Sequence, residues 1–309
     1  MKDNALVSVV MATYNGERFL KEQLDSILNQ TYASIEVIAI DDASSDRTVS
    51  ILKQYAEKDD RIKVTVNELN LGYTKNFEKG IRLASGNYIA FSDQDDIWMA
   101  EKLSTLMNEM AEHPVVYCDS ELIDDNGNSL NKKISSFRKL GSYNSCLNFA
   151  IDNCVSGHAA IIKKELLLNF LPFPSIPHYD HWLAFNSTFG GGVKYIDKPL
   201  VKHRSHASSA VGVFAKKKLT GVEKTALKKK ESKESLERVK QFFNKCPKEF
   251  PADKKVLLDL MLSYESFSLK NNIRRVHVFM ANRKDLLVIR KRSAFRKWFY
   301  CLKMFYRIK

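Results

Sequence analysis

The sequence predicts an α/β domain built on a mostly parallel, doubly wound sheet, followed by a basic, mostly helical extension. Three observations carry this. Short apolar runs of strand type alternate with helical patterns through the first 120 residues. The strand runs end in polar or acidic residues: Thr13 and Asn15, Asp41 and Asp42, Asn67 and Asn70, Asp93 and Asp95. In a parallel sheet such ends share one edge, where open α/β sheets bind ligands. Charge, finally, divides the chain. Residues 1–214 hold 22 Lys/Arg and 27 Asp/Glu, a net −5, whereas residues 215–309 hold 27 and 9, a net +18. The boundary is therefore drawn between 1–214 and 215–309.

Residues 7–12 (VSVVMA) form a buried-strand run, broken by turn residues at 13–16. A helix over 17–30 puts Phe19, Leu20, Leu24, Ile27 and Leu28 on one face. Residues 35–40 (IEVIAI) are a second buried strand, after which Ser45 or Asp46 can cap a helix running to Tyr55. A strand at 62–66, a helix at 73–84 and a strand from Tyr88 follow. That last strand, YIAFSDQDDIW, delivers Asp93, Asp95 and Asp96 within four residues. Three acids so close repel one another unless they are solvated or hold a cation. Mg²⁺ and Mn²⁺ prefer oxygen ligands, so the stretch is either an acidic turn before the next helix or a metal site. No GxGxxG follows the first strand and no GxxxxGK[ST] occurs. Without a glycine cradle, phosphate charge at this edge needs a metal.

A helix at 99–112, a strand at 115–118 and a tight turn at 124–127 come next; 128–150 reads as a loop region and 158–162 as a strand. After the extended stretch around Pro172, Pro174 and Pro177, HYDHW opens a helix to about 189 with Asp180 in its first turn. There Asp180 either complements the helix dipole or serves as a general base. Short strands at 193–196 and 200–202 lead to His203-Arg204-Ser205-His206, a cluster able to fold back onto a diphosphate and its metal.

Four motifs, ATYNG (12–16), IAIDDASSD (38–46), NLG (70–72) and FSDQDD (91–96), stand in the order and spacing of the family 2 glycosyltransferases. The chain resembles that family over residues 6–213. The DQDDIW form, with HYDHW and HRSH, resembles its bacterial cell-surface rhamnosyltransferases. The resemblance implies a GT-A fold and an inverting, Mn²⁺- or Mg²⁺-dependent transfer from a nucleotide-sugar. It places Thr13 and Tyr14 against the base, with Asn15 and Glu17 nearby. Asp41 or Asp42 would bond the pyrimidine, and Asn70 and Gly72 would shape the same pocket. Lys75 falls where a basic residue often lies near the diphosphate, although an exposed helix lysine is equally ordinary. Asp93 and Gln94 would lie against the donor, and Asp95, with Asp93 and His206, would hold the metal. Asp180 matches the catalytic base. The family usually shows Glu-Asp where this chain has Tyr179-Asp180, and often Gln where Ser205 stands.

The implied donor is dTDP-L-rhamnose, or alternatively a UDP-hexose or UDP-amino-sugar, and the acceptor a lipid-linked glycan. A nucleotide-binding assembly partner without turnover is the reading outside enzymology, and the acids at 93, 95 and 180 speak against it. In the tail, helices are expected from Lys216, over 254–269 and over 276–290, ending in SAFRKWFYCLKMFYRIK. Aromatics beside Lys and Arg suit an anionic membrane surface. Packing on the same chain or a second copy is the alternative, and nucleic acid has charge but no motif behind it. No 18-residue apolar run or secretory leader is read, and the five cysteines form no CxxC. The expectation is a cytoplasmic protein with reduced thiols, peripheral at the inner membrane face.

Overall fold

A computed structural model describes residues 5–110, 112–205 and 220–306. Four parallel strands open the chain: β1 (Val7–Thr13), β2 (Ile35–Asp41), β3 (Ile62–Val66) and β4 (Tyr88–Ser92). They are linked by α1 (Leu20–Leu28), α2 (Thr48–Ala56) and α3 (Tyr73–Leu83). The first two strands are almost wholly buried, as unbroken apolar runs require when both sheet faces are covered. Then come β5 (Ile97–Trp98), α4 (Lys102–Glu109), β6 (Val115–Ile123), β7 (Ser129–Lys133), β8 (Ala160–Lys163), α5 (Lys164–Leu168), α6 (Tyr179–Ser187) and β9 (Val193–Arg204). The sheet order is β3-β2-β1-β4-β8-β6-β9-β5, with β7 beside β6. The β8 strand is antiparallel to both β4 and β6, which makes the sheet mixed.

Several elements differ from the sequence expectation. The strand at 115–118 continues to Ile123, where Leu122 and Ile123 are still buried and still pair with β9. The two short strands at 193–196 and 200–202 are one, β9. Its register shifts against β6 around Asp119, the partner of Pro199, so a bulge absorbs the residue that lacks an N–H. The region 128–150 is not a plain loop. It holds β7 and 3₁₀ turns at Ile134–Ser136 and Cys146–Phe149. The helix after the acidic strand starts at Lys102 rather than 99, since Ile97 and Trp98 pair with β9 and Met99 N donates to Leu200 O. The expected hairpin turn forms: Asp124 N donates to Asn128 O at 2.9 Å, and Gly127 takes φ 82°.

By contacts the described chain divides into two units. One draws on 5–136, 155–173 and 193–205; the other on 137–154, 174–192 and 220–306. The first unit's core joins Val7, Val9 and Met11 of β1 to Leu20, Leu24 and Ile27 of α1, Val37 of β2 and Leu103 and Leu106 of α4. The second contains α6 and the tail helices α7 (Gly221–Lys245), α8 (Pro251–Tyr264), α9 (Leu269–Ala281), α10 (Arg283–Leu286) and α11 (Ala294–Lys303). The helix expected over 276–290 instead starts at Leu269, where Ser268 accepts from Asn271 N, and breaks at Asn282. Within this unit Phe242 of α7 stacks on Phe185 of α6 at 3.9 Å and lies parallel to Trp182 at 6.2 Å. The boundary drawn at 214 thus falls between two helices that pack together.

Candidate functional site

The loops at the carboxyl ends of β1, β2, β3 and β4 are tied to one another by side chains. Thr13 Oγ1 donates to Asp41 Oδ2 at 2.9 Å, and Asp41 also accepts from Ser44 N and Oγ. Asp42 takes the N–H groups of Leu71 and Gly72, both at 2.8 Å, and Asn67 Nδ2 at 3.1 Å. Both carboxylates are buried, and each already accepts three hydrogen bonds from these loops. Gly72 turns the chain at φ 83°, a conformation a Cβ would strain. Asn15, at φ 48°, donates its N–H to Ser44 Oγ and accepts from Ser45 N. Glu17 accepts from Arg47 N and Nε, and Asp46 accepts from Glu17 N and Thr48 N. Tyr14 presents its ring to solvent, half exposed.

Gln94 closes this edge. Its Oε1 accepts from Tyr14 N at 2.8 Å, and its Nε2 donates to Tyr14 O at 3.0 Å. Gly16 is small for this reason: a Cβ there would lie 2.2 Å from Gln94 Oε1. The first strand's loop and the acidic loop are therefore one assembly.

Beneath it, Asp96 is fully buried. Its Oδ1 accepts from His203 Nδ1 at 2.9 Å and from Arg204 N at 3.1 Å, while Oδ2 makes no hydrogen bond. His158 stacks on His203 with ring centroids 4.5 Å apart, and its Nδ1 lies 3.7 Å from Asp93 and 3.8 Å from Asp96. Burial opposes charge on His203, but Asp96, with Asp93 and Asp95 behind it, pushes the imidazole up to about 9. Burial likewise opposes the Asp96 carboxylate, yet the two histidines hold it well below the usual range. Arg204 is also buried. Its Nε donates to Asp95 O at 2.9 Å, Nη1 to the carbonyls of Asp124 and Asp125, and Nη2 to Glu22 at 2.6 Å. Of the 203–206 cluster, His203 and Arg204 reach the acidic loop, His203 through the Asp96 carboxylate and Arg204 through the Asp95 carbonyl. His206 lies outside the described residues.

Asp93, Gln94 and Asp95 are half-buried. Asp93 and Asp95 supply oxygen donors, as a hard divalent cation prefers, and the unbonded Asp96 Oδ2 lies in the same loop. Asp96, His158 and His203 each offer a ligand atom, all within 4.8 Å of one another. That second set mixes nitrogen with oxygen and is held together by the Asp96–His203 bond. His158 stands in a stretch predicted as strand with nothing to mark it; the fold brings it to the acids, where it stacks on His203 and its Nε2 lies 3.0 Å from Ser120 Oγ. Lys75 lies on α3 and pairs with Glu78 at 2.9 Å, so part of its charge is met locally. Asn70 is exposed. In the other unit, Asp180 lies half-buried in the first turn of α6, where its Oδ1 accepts from His181 N at 2.6 Å.

The Glycosyl transferase family 2 model matches residues 8–170. WfgD of Escherichia coli, a UDP-Glc:alpha-D-GlcNAc-diphosphoundecaprenol beta-1,3-glucosyltransferase, is 35% identical over 183 residues, 59% of this chain and 69% of the relative. The uncharacterized glycosyltransferase MJ1057 of Methanocaldococcus jannaschii is 32% identical over 193 residues, 59% of this chain and 64% of its own. The crystal structure of residues 1–349 of S. aureus TarS matches with a TM-score of 0.58 at 19% identity, covering 97% of this chain and 79% of that one. That likeness shows the fold, which is of the GT-A type with a C-terminal helical region. With the family model spanning more than half of the sequence, the chain belongs to glycosyl transferase family 2 and is a nucleotide-sugar glycosyltransferase.

Proposed function

We propose that the protein transfers a sugar, with inversion, from a pyrimidine nucleotide-sugar to a lipid-linked glycan in bacterial cell-surface polysaccharide synthesis. The observation that carries the reading is the joined edge: Thr13–Gly16, Asp41, Asp42, Leu71, Gly72 and Asp93–Asp96 held together through Gln94 and the two buried aspartates. Thr13, Tyr14, Asn15, Glu17, Asn70 and Gly72 would form the nucleoside pocket. Asp95 and Asp93 would hold Mn²⁺ or Mg²⁺, with His206 from the undescribed segment. Bound there, the cation supplies Lewis-acid neutralisation of the departing diphosphate. Gln94 and Arg204 keep the backbone on either side of these acids in place, and Lys75 adds positive charge near the phosphates. Asp180 would accept the proton of the acceptor hydroxyl, and a single displacement needs one such base.

Two donors are in play. The DQDDIW, HYDHW and HRSH pattern speaks for dTDP-L-rhamnose. The E. coli relative, named for UDP-glucose and a diphosphoundecaprenol-linked acceptor, speaks for a UDP-hexose. The extension from 215 onward is read as the part that docks the enzyme at the inner membrane face. A thermal-shift and donor-hydrolysis screen of UDP-Glc, UDP-GlcNAc and dTDP-rhamnose, with and without Mn²⁺, tests the reading. A metal-dependent shift lost in Asp95→Ala supports it, and the responding sugar names the donor. No response to any nucleotide-sugar overturns it.

A further inference from the structure

The C-terminal unit carries a cationic cleft that the transfer reaction does not use. Lys139, Arg290, Lys291, Arg292, Arg296 and Lys297 line a cavity of about 590 Å³. The cleft is built rather than incidental. Lys139 N donates to Ile289 O at 2.8 Å, and Arg138 bridges to Arg290 in antiparallel fashion. Arg290 is fixed by Asp152 at 2.5 and 3.1 Å and lies over the Tyr300 ring at 4.2 Å. Asp152 thus meets the charge of Arg290. Among the described residues, no carboxylate lies within ion-pair distance of Lys139, Arg292, Arg296 or Lys297. Burial, then the charge of Lys139, pushes the Lys297 ammonium down.

Beside this cleft, α11 shows an apolar face to solvent. Phe295, Trp298, Phe299 and Leu302, with Tyr306 just beyond the helix, follow the i, i+3, i+4, i+7, i+11 spacing of one helical stripe. Their exposures are 68, 41, 43, 38 and 68%. The opposite face is already satisfied: Tyr300, Cys301 and Met304 are buried, with Tyr300 against Phe279 of α9. Lys303 ends the helix. An aromatic stripe flanked by cations matches the headgroup zone of an anionic bilayer. There the rings enter the acyl boundary and the cations meet lipid phosphates. None of the helices among the described residues is long and apolar enough to cross a membrane, so the mode is lying on the surface.

We propose that α11 and the adjoining cleft form the membrane-docking face, with lipid phosphate groups seated in the cleft and the 295–306 stripe in the headgroup layer. This rests on the docking role given to the extension above and is independent of the donor. Trp298 reports on it directly, because Trp98 and Trp182 are buried. The full chain is mixed with vesicles of phosphatidylcholine alone, or with 30 mol% phosphatidylglycerol at low and high salt, by order of magnitude bracketing physiological screening. Expected are sedimentation with the anionic vesicles only, loss at high salt, a blue-shifted Trp298 emission and its quenching by brominated acyl chains. The triple variant Arg292→Ala, Arg296→Ala, Lys297→Ala should weaken vesicle binding by roughly tenfold or more. Phe295→Ser with Phe299→Ser should abolish the quenching while leaving weak electrostatic binding. Absence of vesicle binding by the wild type overturns the proposal. So does stabilisation by inorganic phosphate through the cleft without vesicle binding, or a dimer that the Phe299→Ser change dissolves. Nucleotide-sugar thermal shifts, measured on the same variants, should be unchanged. Their absence in the wild type would count against the transferase reading and not against the docking face.

Discussion

Asp180 and Glu36 sit in very different surroundings for two carboxylates of one chain. Asp180, half-buried at the start of a helix, is the residue we propose to take the acceptor's proton. Asp180→Asn keeps the shape and removes the basicity. It should lower kcat by about 10²–10⁴-fold with little change in donor affinity, as steady-state kinetics alongside donor thermal shifts will read. Glu36 is structural. It accepts from Ser8 Oγ, Ser85 N and Gly86 N and pairs with Lys63 at 2.7 Å. Burial opposes its charge, but the bonds from Lys63, Ser8 and Ser85 hold it at about 2 against 4.5. A carboxyl lowered on folding stabilises the native state above its unfolded pKa, and that contribution fades as pH falls from about 4.5 towards 2. It amounts to about 3 kcal/mol at most. Urea midpoints of the wild type should therefore drop between pH 6 and 3 more steeply than those of Glu36→Gln. Equal slopes would remove Glu36 as the cause.

At the scale of elements, the site depends on how closely helices approach the first strands. Gly80 of α3 faces Val10 of β1, and a Cβ there would meet Val10 Cγ1 at 2.2 Å. In an exposed helix Gly→Ala gains about 1 kcal/mol. Here overpacking should reverse the sign, so Gly80→Ala should cost about 1–3 kcal/mol. Adding Val10→Ala should recover part of the loss in equilibrium unfolding. The elements that the sequence disclosed were those with unbroken periodicity: β1 to β4 and α1 to α3. Those it concealed were set by partners distant in the chain. The β7 strand is exposed throughout and gains its identity only by pairing with β6. The β9 strand runs through Pro199 because β9 itself bulges there, with extra residues on either side of the Asp119–Pro199 pair.

At the scale of the molecule, the basic tail is tied to the segment that bears the assigned base. Phe242 of α7 packs on Phe185 and Trp182 of α6, and His181 Nε2 lies 2.5 Å from Phe149 O beneath them. Burial, then the charge of Arg238, pushes His181 down to about 3, so it stays neutral in this core. A chain ended after residue 214 keeps α6 and loses α7, whose Phe242 packs on Phe185 and Trp182. It should aggregate or melt without a cooperative transition by circular dichroism, whereas the full chain melts cooperatively. A soluble, cooperative 1–214 fragment would show instead that α6 holds its place without α7.

By itself the sequence determined the alternation of strands and helices, the polar edge at the strand ends, the acidic DQDD loop and the charge division near residue 214. Each is local, written in periodicity, turn chemistry or composition over about 5–15 residues, and so legible without knowledge of the rest. Only the tertiary structure decided which groups work together. Asp96 and His203 are 107 positions apart, Gln94 and Tyr14 80, Arg204 and Glu22 182. His158 becomes part of the acidic site through its stacking on His203, and the apolar stripe of α11 faces solvent because Tyr300, Cys301 and Met304 occupy its inner side. Pairings of that reach leave no pattern in the chain, because they arise only when sheet order and helix packing bring the residues within a few ångströms.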